Sequence, residues 1–271
     1  MAKGDTPVVH MGDGGFSWKV VFPERTSAEL GRRKPRADIL LTAVDDGAAE
    51  SIQVPIAVGR SLESKLGGGH RSPTSRAELL YLIRETSVAC ASDRVAKLVD
   101  RRDYSTKEMR DKLSLDGYSK ASIDEVVRRA CDSGLVDDSR FASVFIRTKV
   151  SSGWGAYRIE RELGRRGIEL DEVEGWPEEY IDDSNEPDRA YELLTCKRLS
   201  SKDPYAKAVR FLVSRGFSYG VATSAARRRV EDESEDDSGR RGFGVASLDL
   251  PRSSVDCVKS RRVAVGVSCP I

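Results

Sequence analysis

A short pattern that returns three times sets most of what this chain can fold into. Lys112-Leu113, closed by Asp116-Gly117-Tyr118, comes back as Glu162-Leu163 with Arg166-Gly167-Ile168, and again as Phe211-Leu212 with Arg215-Gly216-Phe217. A second marker keeps the same beat: Asp93-Arg94-Val95, Ser139-Arg140-Phe141 and Asp188-Arg189-Ala190. Two markers recurring at about 46 to 50 residues identify tandem structural units, not one continuous core.

Each unit reads as helix, turn, helix, glycine turn, helix. The glycine follows an apolar helix, where a left-handed residue without a Cβ closes the last turn. The residue after it (Tyr118, Ile168 or Phe217) is apolar and can pack back on that helix. Ser119 and Ser218 then offer oxygens to the free amides of a third helix. Ser105 with Glu108 forms a capping-box pattern, and Asp203-Pro204 places a cap before proline at the first helical position. Asp137-Asp138 precedes the helix carrying Phe141, Val144 and Phe145. The stripes are short: Met109 and Leu113, Ile159 and Leu163, Val209 with Leu212-Val213. One such unit buries little surface, so linked units must share neighbours. The expected fold is mainly α, an elongated array of three-helix units over 76–135, 136–184 and 185–231. In the second unit Glu174-Gly175-Trp176-Pro177 is unlike a clean third helix.

The ends have a different texture. Residues 1–36 mix Gly, Pro and charge and are expected to be disordered, although Phe16 to Phe22 alternates as a strand would. Residues 37–75 read as a β-hairpin (Ile39 to Val44, a turn at Asp45-Asp46-Gly47, then Ser51 to Val54), a short helix over 57–66 and a glycine linker. At the other end Glu231 to Asp237 holds six acidic residues in seven. Such a run repels itself and is expected to end the fold, leaving 232–271 as an acidic and then disordered tail.

Function classes narrow by what is scarce. The only histidines are His10 and His70, both in segments that look irregular, and the five cysteines include no close pair. Metal sites and histidine acid–base chemistry have little material, and the cysteines read as reduced thiols. No phosphate loop, nucleophile elbow or HExxH motif occurs. The expectation is a binding protein, not an enzyme, with no cofactor and no small-molecule substrate. No apolar run is long enough to span a bilayer and no signal peptide opens the chain, so a cytoplasmic protein is expected. Lys+Arg total 45 against 44 Asp+Glu. That balance excludes a uniformly basic coat and moves attention to local clusters.

The clearest cluster lies in the second unit. Arg158, Arg161 and Arg165 share one helical face, opposite Ile159 and Leu163. Such a stripe suits phosphates or an acidic protein surface, and a solvated face is the competing reading. Arg227, Arg228 and Arg229 either complement a helix dipole or bind. Tyr104, Tyr118, Phe141, Phe145, Tyr157 and Phe217 sit where packing wants them. Trp154, between two glycines, is open to contact.

These residues resemble the RecX family, regulators of the RecA recombinase. The resemblance runs through Leu98 to Ser105, Lys107 to Arg110, Lys112-Leu113 and Gly117 to Ser119. It continues through Gly134 to Ala142, its most specific piece, then Gly155, Arg158-Ile159, Glu162-Leu163, Gly167-Ile168, Lys207, Phe211-Leu212 and Arg215 to Phe217. It covers 92–231, and the hairpin and helix of 37–66 are similar to the leader some relatives carry. The resemblance implies a non-enzymatic modulator that lodges in the groove of the RecA–single-stranded-DNA filament and damps strand exchange and co-protease activity; a monomer is expected. A helix-turn-helix protein that binds DNA directly is the alternative.

Overall fold

The computed structural model describes residues 9–11, 16–23, 34–43, 49–66, 73–182, 185–197, 199 and 202–242. Within them the strands are β1 (Val9–Met11), β2 (Phe16–Val21), β3 (Arg36–Ala43) and β4 (Ala49–Pro55). The helices are α1 (Ile56–Leu66), α2 (Arg76–Val99), α3 (Thr106–Asp116), α4 (Lys120–Asp132), α5 (Asp138–Ser151), α6 (Ala156–Arg165), α7 (Glu186–Thr195), α8 (Pro204–Arg215) and α9 (Tyr219–Gly242). The fold is mainly α, as the periodicity requires. Among the described residues two compact units emerge. The first takes everything up to Phe145 together with Glu162–Glu174; the second takes Ile146–Arg161 and everything from Gly175 on.

In the first unit the expected hairpin is larger than the sequence suggested. The strands form one antiparallel sheet in the order β1-β2-β3-β4. Residues 16–21 are therefore a strand, a correction to the disorder expected across 1–36, and His10 lies in β1 opposite Trp18. The cause is a non-local partner. Register sets Val20 beside Ile39 and Trp18 beside Leu41, so alternate residues share one face. Trp18, Val20, Ile39 and Val54 are buried in one core with Val58 and Leu62 of α1, Leu79 of α2 and Met109 and Leu113 of α3. Each such side chain contributes about 1.5–3 kcal/mol through removal from water. The turn at 44–48, the glycine linker at 67–72 and the segments 1–8, 12–15 and 24–33 lie outside the described residues.

The three glycine turns form as the repeat demands. Gly117, Gly167 and Gly216 have φ of 93°, 74° and 93°. In each turn the glycine amide donates three residues back, and the next amide reaches five residues back: Tyr118 to Leu113, Ile168 to Leu163 and Phe217 to Leu212. Those paired bonds satisfy the carbonyls a helix end leaves open, while the following apolar side chain is buried. The caps also form. Ser105, Ser119 and Asp203 accept from the amides of Glu108, Ser122 and Ala206, Ser218 from Val221, and Asp137 from Arg140.

The second repeat departs from the pattern at its third helix. Where the other repeats carry Ser119 and Ser218, it carries Glu169, which makes no side-chain cap bond. Only a 3-10 turn, Leu170–Glu172, follows, and turns continue to Tyr180. Gly175, at φ 76°, and Pro177 then exclude a regular helix.

Ser105 has two tasks, and its removal should expose both. Its Oγ caps α3 and also donates to the Arg166 carbonyl at 2.8 Å, with the whole residue buried. Ser105→Ala should lower stability by about 1–2 kcal/mol, read as a shift in denaturant midpoint at unchanged slope.

The acidic run lies inside α9, which extends to Gly242, and does not end the helix. Its first members have partners that offset the repulsion. Glu233 pairs with Arg229 one turn back at 2.7 Å, and Asp232 accepts from the Tyr191 hydroxyl of α7. Residues 243–271 lie outside the described residues.

Candidate partner-binding surface

The helix α6 was the sequence's strongest surface candidate, and its two faces separate cleanly. Ile159 and Leu163 are fully buried, whereas Arg161 and Arg165 are exposed. The three arginines nonetheless have different surroundings. The Arg158 guanidinium lies 3.9 Å from the Trp154 ring centroid. A Cβ on Gly216 would fall 2.4 Å from Arg158 Cβ, so this arginine packs tightly against the α8 turn. Arg165 faces Glu162 at 3.4 Å. Arg161 has no hydrogen bond or ion pair among the described residues, which leaves its charge available to a partner.

In the second unit, Trp154 is built into the start of α6. Its carbonyl accepts from Arg189 of α7 at 2.8 Å, and Lys149 also stands over its ring at 4.9 Å. Arg189, half-buried, is pulled below the usual guanidinium range by desolvation. The neighbouring Gly155 donates its amide to the Arg215 carbonyl, and the Tyr157 amide donates to the Gly216 carbonyl. The N-terminus of α6 is thus bonded to the glycine turn of α8. Trp154 and Arg158 serve that junction.

In the first unit the last turn of α6 receives α3 in a related way. Lys107 Nζ donates to the Arg165 carbonyl at 2.8 Å, beside the Ser105 bond to Arg166. The Glu108 carboxylate, expected to complete a capping box, instead reaches Arg166 at 3.3 Å and Arg102 at 3.1 Å. Arg166 also hydrogen-bonds Glu162, whose carboxyl it holds below the ordinary range.

Of the arginine triplet in α9, two have local roles. Arg228 pairs with Asp188 of α7 and covers the Tyr191 ring at 4.2 Å, and Arg229 pairs with Glu233. Arg227 is exposed, with no such partner among the described residues. The aromatic expectation needs one correction. Tyr157, placed with the packing residues, is 62% exposed, because its position at the first turn of α6 turns it away from Ile159. Tyr219, at 72%, was not singled out. Its signal was available: Ala222, Ala225 and Ala226 mark the buried face of α9, and Tyr219 stands at its edge.

Cys90, Cys131 and Cys196 are free thiols, and burial pushes Cys90 up from its ordinary value. Tyr118 is pushed up to about 12 by burial. Among the described residues no three His, Cys, Asp or Glu side chains gather as metal ligands, and no helix is long and apolar enough to cross a membrane.

Comparison with known proteins matches the first two repeats. Residues 91–129 match a family model described as RecX, first three-helix domain, and residues 137–174 one described as RecX, second three-helix domain. The regulatory protein RecX of Chromohalobacter salexigens is 37% identical over 142 residues, covering 49% of this chain and 89% of that one. That of Clostridium botulinum is 26% identical over 212 residues, covering 74% and 93%. Among solved structures, RecX from Lactobacillus salivarius aligns with a TM-score of 0.45 at 20% identity, over 53% of this chain and 96% of its own.

Proposed function

Because the chain belongs to the RecX family of regulatory proteins, we propose that it is a non-catalytic regulator of the RecA recombinase. In this reading it binds the filament of RecA on single-stranded DNA and damps strand exchange and co-protease activity during DNA repair. It acts in the cytoplasm, as a monomer, without cofactor or small-molecule substrate. The observation that carries the reading is the ordered pair of three-helix domain matches, with the exposed arginine face of α6 lying inside the second. A groove lined by protein and nucleic acid presents both charge signs, which suits a chain whose own charge is nearly balanced.

The test is direct. Purified chain is added to RecA and single-stranded DNA, and ATP hydrolysis and repressor cleavage are followed. Both should slow at stoichiometric or lower amounts, and unchanged rates would sink the reading. Within this assay Arg161→Glu with Arg165→Glu should raise the half-inhibitory concentration by about tenfold, since two exposed cations become anions. Arg158 is left intact because its packing on Trp154 and Gly216 would confuse folding with binding. Equal inhibition by a folded double variant would return that face to solvent.

A further inference from the structure

Between Asp203 and Glu231 the chain has no acidic residue, while Lys207, Arg210, Arg215, Arg227, Arg228 and Arg229 all fall there. In a chain with nearly as many acids as bases, that segment is a strong local departure. It folds as α8, the turn Gly216-Phe217-Ser218, and the first half of α9. Gly216 closes the first helix in the left-handed region, and Ser218 caps the second by accepting from Val221 at 3.2 Å. Below them α7 completes one core, with Leu194, Leu212, Phe217 and Ala222 buried together. The result is two helices joined by a three-residue turn and held rigidly by a third.

The exposed face of that second helix is unusual in what it carries. Tyr219, Gly220, Ser224 and Arg227 are exposed, and Thr223 is half-buried. A Cβ built on Gly220 meets nothing within 4 Å, so the surface beside it is open. The corresponding helix of the first repeat, α4, differs in kind. Its Asp124, Glu125 and Asp132 pair with Arg110, Arg129 and Arg128 and neutralise the face. In the third repeat Arg228 and Arg229 are held by Asp188 and Glu233. Arg227 and Arg210 are exposed and have no ion pair among the described residues. Acidic side chains begin at Glu231, which limits the surface to roughly the first three turns of α9, about 18 Å.

We propose that the third repeat binds duplex DNA directly, with the first half of α9 entering the major groove and Arg210 and Arg227 against the phosphates. A major groove about 12 Å wide admits one α-helix. Small side chains let the helix approach, hydroxyls supply hydrogen bonds to base edges, and the helix before the turn crosses the backbone. The absence of carboxylates removes the repulsion that excludes an ordinary helix from a polyanion. This inference is independent of RecA.

The experiment uses the full chain, without RecA, and a labelled duplex of about 20 base pairs, long enough for one helix in a groove. Retention of the duplex at low salt is expected, and tighter than retention of one of its strands. Arg210→Glu with Arg227→Glu should weaken it at least about tenfold and make the salt slope shallower by about two. Its circular dichroism should match the parent, because neither arginine holds the fold. Three results would overturn the proposal: no duplex binding at low salt, single strand bound as well or better, or a variant equal to the parent in affinity and slope. A variant that loses duplex binding but still slows RecA hydrolysis supports two separate activities. Loss of RecA inhibition by the parent chain, with duplex binding intact, counts against the filament reading alone.

Discussion

Gly155→Ala is expected to lower the unfolding transition of the second compact unit by about 10 °C or more, equivalent to about 3 kcal/mol. The reason is steric and local. A Cβ at Gly155 would fall 2.3 Å from the Gly216 carbonyl oxygen and 2.4 Å from the Phe217 amide nitrogen. Those are backbone atoms, with no flexible side chain to swing aside, so α6 must move off the α8 turn. Moving it stretches the Gly155 and Tyr157 amide bonds to the Arg215 and Gly216 carbonyls. Hydrogen exchange should report the loss at those amides and at Phe217, while the sheet of the first unit stays protected. Gly134→Ala is the control. Its φ of 69° carries the left-handed strain, but nothing lies within 4 Å of the new atom, and about 1 kcal/mol is expected. Gly155 itself lies outside the left-handed region, so an effect no larger than that of Gly134→Ala would contradict the close-approach account.

Asp116→Ala should destabilise the first unit by about 2–3 kcal/mol, measured by chemical denaturation. The side chain is only 10% exposed and lies between Lys34 Nζ at 2.6 Å and Arg94 Nε at 2.7 Å. Removing the carboxylate strands a partly desolvated guanidinium, which is worse than losing the attraction itself. Lys34 is more than half exposed and will recover hydration, so the effect belongs mainly to Arg94. Arg94→Leu combined with Asp116→Leu should therefore cost less than Asp116→Ala alone. A double variant at least as damaged as the single would contradict that account.

Asp116 also shows where reading the sequence stops. The repeat aligns it with Arg166 and Arg215, so the last residue before the glycine changes charge between units. Nothing local reveals why. Asp116 faces Lys34 and Arg94, whereas Arg166 faces Glu108 and Glu162. Glu162 is one turn back along the chain, but Lys34, Arg94 and Glu108 lie far from their partners in sequence and meet them through tertiary packing alone. The glycine turns and serine caps were legible because each depends on a few successive residues. The strand at Phe16–Val21 was legible only as an alternation, since it needs β3 beside it to bury Trp18. The continuation of α9 through the acidic run was hidden similarly, because Tyr191, the partner of Asp232, belongs to another helix.

The surface was legible in part. Helical periodicity placed Arg161 and Arg165 on the exposed side of α6 and Ile159 and Leu163 on the buried one. It could not separate Arg158 from them, because packing against Gly216 depends on a residue 58 positions away. Arg228 and Arg229 look equivalent to Arg227 in sequence, yet only Arg227 is left without an ion pair among the described residues.

The missing third helix of the second repeat bears on how the molecule can be dissected. Sequence repetition invites a cut after Leu135, between the first and second repeats. A fragment ended there would lose the Arg165 and Arg166 carbonyls that receive Lys107 and Ser105, and would strand Glu108 without Arg166. A fragment carried through Glu174 keeps all three. The natural seams of this protein therefore run through its repeats, and the gap between the two family matches is not a place to cut, whereas the end of the second match is.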